Sequence, residues 1–83
     1  MYKIVGVNFK EGKLDNGTPW QNYYLYCITD SMEVVAGYGV ETIKVKPAVF
    51  EGFMKNKGVD DIKKVINLEV NPLYDKYGKI QVL

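Results

Sequence analysis

Apolar and polar residues alternate with the two-residue period of β-strands over most of this chain. The period changes to a helical one in a single stretch. In Tyr2 to Phe9, Lys3, Val5, Val7 and Phe9 share one face and Tyr2, Ile4, Gly6 and Asn8 the other. Apolar residues on both faces suggest a strand that passes from one layer to another, with Gly6 permitting the bend or bulge. Lys10 to Pro19 reads as a loop around the turn signal Asp15-Asn16-Gly17, with Pro19 opening the next strand. Trp20 to Asp30 carries the densest strand signal: Trp20, Asn22, Tyr24, Tyr26 and Ile28 on one face, Gln21, Tyr23, Leu25, Cys27 and Thr29 on the other. Val34 to Lys46 reads as a long third strand, bulged or sharply coiled at Gly37-Tyr38-Gly39.

From Lys46 to Gly58 the period becomes helical, with Val49, Phe50, Phe53 and Met54 recurring on one side. Pro47 suits a first turn, Glu51 and Lys55 form an i,i+4 pair, and Gly58 is a natural C-cap. Asp60-Asp61 marks a turn. Lys63 to Asn71 then predicts a strand with Ile66, Leu68 and Val70 on one face. Asn71 to Gly78 is a loop, and Lys79 to Leu83 a closing strand with Ile80 and Val82 inward.

Three strands, a short helix and two strands is the order of a five-stranded OB-fold-like Greek-key barrel, an all-β fold with one helix between strands three and four. Ubiquitin-like rolls place a longer helix after the first hairpin, and SH3-like barrels lack the helix. The 83 residues predict a single domain, 1–83.

Composition narrows the function classes. There is no His and no Arg, so the usual general base near neutral pH is missing, and one Cys without His leaves no ordinary zinc site. Asp60, Asp61 and Asp75 are scattered, without calcium-loop spacing. No phosphate loop, dinucleotide fingerprint or catalytic triad is present; Gly37-Tyr38-Gly39 lacks a third glycine and a following helix. An enzyme is therefore not expected, nor a cofactor, a metal or a small-molecule substrate. No apolar run is long enough for a membrane span and the N-terminus does not read as a signal peptide. The single Cys27 fits a reducing compartment, so a cytoplasmic location is expected, in a bacterium or a phage-infected host cell.

The candidate chemistry is aromatic. OB-folds bind on the face of strands two and three, flanked by the loops joining strands one to two and four to five. Trp20, Tyr24 and Tyr26 on strand two, Tyr38 on strand three, and Tyr74 and Tyr77 in the last loop collect there. Lys44 and Lys46 project outward from strand three, and Lys10, Lys13 and Lys76 sit in the flanking loops. Such a face takes single-stranded nucleic acid: rings hold bases while lysines contact phosphates. Each residue also has a plainer reading. Tyrosine fills barrel walls, Tyr26 suits a core or a ligand role equally, and single lysines often face solvent. Cys27, mid-strand, reads as a buried structural thiol. The net charge of +1 argues against a partner held by bulk charge alone.

Gly17-Thr18-Pro19-Trp20, followed by Leu25-Tyr26-Cys27-Ile28, resembles the second strand of the filamentous-phage gene-five-type single-stranded-DNA-binding proteins. There a Gly-x-Pro-aromatic turn leads into a strand with a buried cysteine. The plan of Ile66 to Leu83 is similar too. The resemblance implies a two-fold homodimer that coats single-stranded DNA, with Trp20 as the base-stacking aromatic and Cys27 as the buried thiol. The sequence departs from that family in lacking Arg and in its small charge, and without an acidic tail after Leu83 no tail-mediated recruitment is expected. The expected function is sequence-tolerant binding of single-stranded DNA, or of RNA, in replication or transfer of a phage or mobile element. The alternative is a protein-interaction or structural module, such as a phage virion or assembly component. Near-neutral charge and the apolar Phe50, Phe53 and Met54 favour that alternative, although these side chains also suit a plug for the barrel's open end.

Overall fold

The computed structural model describes residues 1–83. Strand β1 (Tyr2–Lys13) and β2 (Pro19–Thr29) form a long antiparallel hairpin, and β3 (Gly39–Val45) pairs with β2 on its other side. Helix α1 (Pro47–Lys57) and a 3-10 turn (Ile62–Val65) lead to β4 (Glu69–Val70), which pairs with the start of β1. The result is a curled four-stranded half-barrel in the order β3-β2-β1-β4. The last strands, β5 (Leu73–Tyr74) and β6 (Ile80–Val82), pair with each other as a separate hairpin.

The hairpin turn forms as the sequence predicts. Gly17 takes a positive φ of 84°, its N–H donates to the Leu14 carbonyl at 2.8 Å, and Asn16 Oδ1 accepts from the Thr18 N–H at 3.0 Å. The strands run further towards it than the loop reading allowed, so Lys10 and Lys13 lie on β1, opposite Asn22 and Pro19.

The apolar residues on both faces of β1 are explained by a bulge. Ile4 pairs with Cys27 and Gly6 with Tyr26, so Val5 is the extra residue and parity inverts there. Ile4 before the bulge and Val7 after it therefore both face the core.

That core joins Ile4, Leu25, Cys27, Ile43, Val45, Phe50, Phe53, Val65 and Val70. Helix α1 covers the inner face of the sheet: Phe50 stacks on Tyr23 at 4.5 Å between ring centroids, and Tyr23 meets Phe9 at 5.0 Å. Phe50 and Phe53 are buried, so the apolar side of α1 is the plug of the half-barrel and not a free surface. Gly58 ends the helix at φ 69°, its N–H donating to the Lys55 carbonyl.

Two elements depart from the sequence reading. The third strand starts at Gly39, not Val34, and Tyr38 precedes it in the irregular segment 31–38. Gly37 there takes φ 78°. The Lys63–Asn71 strand is replaced by the 3-10 turn and the two-residue β4. Asp61 Oδ1 caps that turn by accepting from the Lys63 N–H at 2.9 Å, and Asn67 at φ 75° breaks any extended run. Val65 and Val70 are consequently the buried pair, while Ile66 is exposed.

Candidate nucleic-acid interface

Register decides which side chains share the outer face of the sheet. Across the three long strands the outward rows are Lys3-Ile28-Val40, Gly6-Tyr26-Thr42 and Asn8-Tyr24-Lys44. Beyond β3, Lys10 pairs with Asn22 and Gly12 with Trp20, and Lys46 continues the alternation one step past Lys44. Trp20, Tyr24 and Tyr26 thus line one strand over about 20 Å, at the usual rise per residue.

The rings are held and half-buried. Two glycines of β1 supply the space: a Cβ on Gly12 would lie 2.8 Å from Trp20 Cζ2, and one on Gly6 would lie 3.1 Å from Tyr26 Cδ2. An aromatic ring over a cross-strand glycine covers bare backbone and limits the ring's rotamers. Lys10 Nζ sits over the Tyr24 ring at 5.0 Å from its centroid, a cation–π contact. Asn8 Nδ2 stands 3.5 Å from the Tyr26 hydroxyl.

Charge is sorted between faces. The outer rows contain Lys3, Lys10, Lys44 and Lys46, against one carboxylate, Glu69 on β4, which pairs with Lys3 at the edge of the face. Glu41 pairs with Cys27 on the inward-facing parity, where its carboxylate beside the Tyr2 phenol pushes that phenol's pKa up. Asp30, just past β2, is ion-paired with the N-terminal ammonium at 3.2 Å.

Asp75 is committed to the final hairpin. Its Oδ1 accepts from the Tyr77 and Lys79 N–H groups at 2.8 and 2.9 Å, and Oδ2 accepts from Gln81 Nε2 at 3.0 Å. The Lys79 N–H, and then the Tyr77 N–H and the Gln81 amide, hold its carboxyl below the usual carboxylate range.

The remaining predicted residues are dispersed. Tyr74 is exposed on β5, and Lys76 and Tyr77 are in the turn of the last hairpin, with Lys76 Nζ 5.1 Å from the Tyr77 ring centroid. Tyr74, but not Tyr77, joins Lys44 and Lys46 around a cleft of about 500 Å³ between β3 and that hairpin. Tyr38 is 60 % exposed and off the strand, outside the outward rows. Trp20 borders its own shallow groove with Glu11, Gly12, Lys13, Pro19 and Gln21.

Asn22 shares the face of Trp20 in the alternation, but nothing in the sequence signals a role for it. It is 8 % exposed and lines the cleft. Gly12 carries no signal of its own: it falls in the Lys10–Pro19 segment that reads as a loop, yet it lies one residue before the end of β1, opposite Trp20.

Cys27 is buried, and burial pushes its thiol pKa up to about 11, which makes it inert near neutral pH. No three metal-ligating side chains converge, and no helix is long and apolar enough to cross a membrane. Set beside known protein families, characterised proteins and solved structures, the chain matches none of them.

Proposed function

We propose that this protein binds single-stranded DNA, without catalysis, across the outer face of β1, β2 and β3. One observation carries the reading: the register that turns Trp20, Tyr24 and Tyr26 outward also gathers Lys3, Lys10, Lys44 and Lys46 among them, against the single carboxylate of Glu69 opposite Lys3. The near-neutral net charge therefore coexists with a locally basic, aromatic face. Sequence-tolerant single-strand binders combine these two features, with backbone contacts from lysine and stacking from rings. RNA is the other polymer such a face accepts.

The curled sheet with α1 plugging its inner side is consistent with an OB-type barrel whose last seam, between β3 and the terminal hairpin, is unpaired. The free edge of β3 offers pairing to a second copy, so a homodimer belongs to the same reading. With the resemblance of Gly17 to Ile28 to gene-five-type proteins, the setting proposed is DNA replication or transfer of a phage or mobile element, in the cytoplasm.

Fluorescence titration with oligo-dT at low salt tests the proposal, because Trp20 is the only Trp. Binding should quench it. No quench and no change in oligonucleotide anisotropy would sink the reading.

The second reading, a protein-interaction or structural module, has one specific observation in its favour: Met32, Val34, Val35 and Tyr38 are all exposed in segment 31–38. A size-exclusion shift with a protein partner, and none with DNA, would favour it.

A further inference from the structure

The cleft between β3 and the terminal hairpin combines three kinds of chemistry in one place. Its walls carry Lys44, Lys46 and Lys79, the exposed ring of Tyr74, and the carboxamide-bearing Asn22. Glu41 is its one carboxylate, on the parity that faces Tyr2 and away from the row of Lys44. Its volume of about 500 Å³ falls within the range of small-molecule sites.

Asn22 is the unusual member. More than nine-tenths of it is buried, and its side chain makes no hydrogen bond within the protein. No side-chain nitrogen or oxygen is both sealed from solvent and unpaired, so the Asn22 amide keeps contact with solvent where it borders the cleft. A buried carboxamide normally finds partners. One left open at a cleft wall is free to satisfy them with a ligand.

We propose that this cleft is a base-reading subsite for one unpaired nucleotide, in which Tyr74 stacks on the base, Asn22 hydrogen-bonds its edge, and Lys44, Lys46 and Lys79 hold the flanking phosphates. The inference rests on the single-strand reading above and sharpens it: binding is tolerant along β2 and selective at this one position. A carboxamide presents one donor and one acceptor side by side. All four bases offer such a pair on the Watson–Crick edge, but only adenine offers it on the Hoogsteen edge, the N6 amino group next to N7, so a carboxamide that reads this edge selects adenine.

The test compares a dT dodecamer with the same dodecamer carrying one central dA, by anisotropy at fixed salt. Wild-type protein should bind the dA-containing strand about tenfold more tightly, the discrimination of a bidentate amide contact. Asn22→Leu, close in volume, should bring the affinities for the two strands together. Tyr74→Ala, at an exposed position whose loss leaves the core intact, should weaken the dA-containing strand more than the dT strand. Equal binding of the two strands by wild-type protein overturns the base-reading subsite and leaves general single-strand binding standing. No binding of either strand overturns both.

Discussion

The indole of Trp20 lies over Gly12 on the neighbouring strand, so close that a Cβ on Gly12 would meet Cζ2 at 2.8 Å. The contact sits in the part of the β1–β2 hairpin that β3 does not reach. A substitution at Gly12 therefore moves the ring without touching the core. Gly12→Ala should change stability by less than about 1 kcal/mol, since only the end of a side chain must shift. It should also red-shift Trp20 emission and weaken oligo-dT binding, at most by the ~1 to 3 kcal/mol of one lost base stack. Emission spectra, a thermal melt and a titration on one sample check all three. Unchanged affinity with a shifted spectrum would mean that the ring does not contact bases.

The lysines of the outer face should reveal themselves through salt. Each phosphate contact removed from a single-strand binder lowers the slope of log K against log salt by about 0.7. Lys10→Gln, Lys44→Gln and Lys46→Gln should each reduce the slope by about that amount. Lys64→Gln should leave it unchanged, because Lys64 Nζ is ion-paired to Asp60 at 3.0 Å and lies away from the sheet's outer rows. Equal slopes for all four variants would contradict the face assignment.

Cys27 predicts an alkaline limit to stability. Its thiol pKa is raised in the folded protein from 9.0 to about 11 by burial, with Glu41 adding to the shift. A raised folded pKa contributes stability that is full below the unfolded value and is lost as pH rises through the folded one. Stability from this group should hold up to about pH 9 and fall towards pH 11. Comparing denaturation midpoints of wild-type and Cys27→Ala across pH 7 to 11 isolates it, because the lysines and tyrosines titrate in both. Alkylation of the native thiol at pH 7.5 should be slow, and fast in denaturant.

Asp75 predicts an acid limit confined to one hairpin. Its carboxylate receives the Tyr77 and Lys79 N–H groups, which depress its pKa. A depressed pKa contributes stability present above the unfolded value and lost as pH falls through the folded one. Below about pH 4, the unperturbed carboxylate value, exchange protection of the Tyr77 and Lys79 amides should fade first. Asp75→Ala should remove that protection at neutral pH. It should also loosen Tyr74, which sits on β5 immediately before the turn.

The core offers the bluntest check on the fold. Phe50 stacks between Tyr23 and Phe53 and is 1 % exposed. Phe50→Ala should cost about 3 to 5 kcal/mol, which for a domain of this size approaches the whole of its stability. A mild effect in urea denaturation would place α1 off the sheet.

Local signals carried much of this protein. Asn16-Gly17 determines the first turn, because Gly17 adopts a positive φ readily and the Asn16 side chain accepts from the Thr18 N–H. Pro47 and Gly58 set the two ends of α1 for similar backbone reasons. Strict alternation in β2 separates Leu25 and Cys27, buried, from Trp20, Tyr24 and Tyr26, outward. These features depend on a residue's own φ and ψ or on its nearest neighbours, so one strand of text suffices. Tertiary structure decided what depends on partners. The bulge at Val5, which puts Ile4 and Val7 on one side, is a mismatch between two strands. The gathering of Lys3, Lys10 and Lys44 on one face, against Glu69 alone, follows from the register of the paired strands, and no count of charges contains it. The loss of the Lys63–Asn71 strand turned on a cap at Asp61 and on the left-handed Asn67, local choices that an apolar alternation conceals. The cleft that exposes the Asn22 amide exists because the terminal hairpin pairs with itself rather than with β3. That is a competition between two long-range pairings, and only the folded chain resolves it.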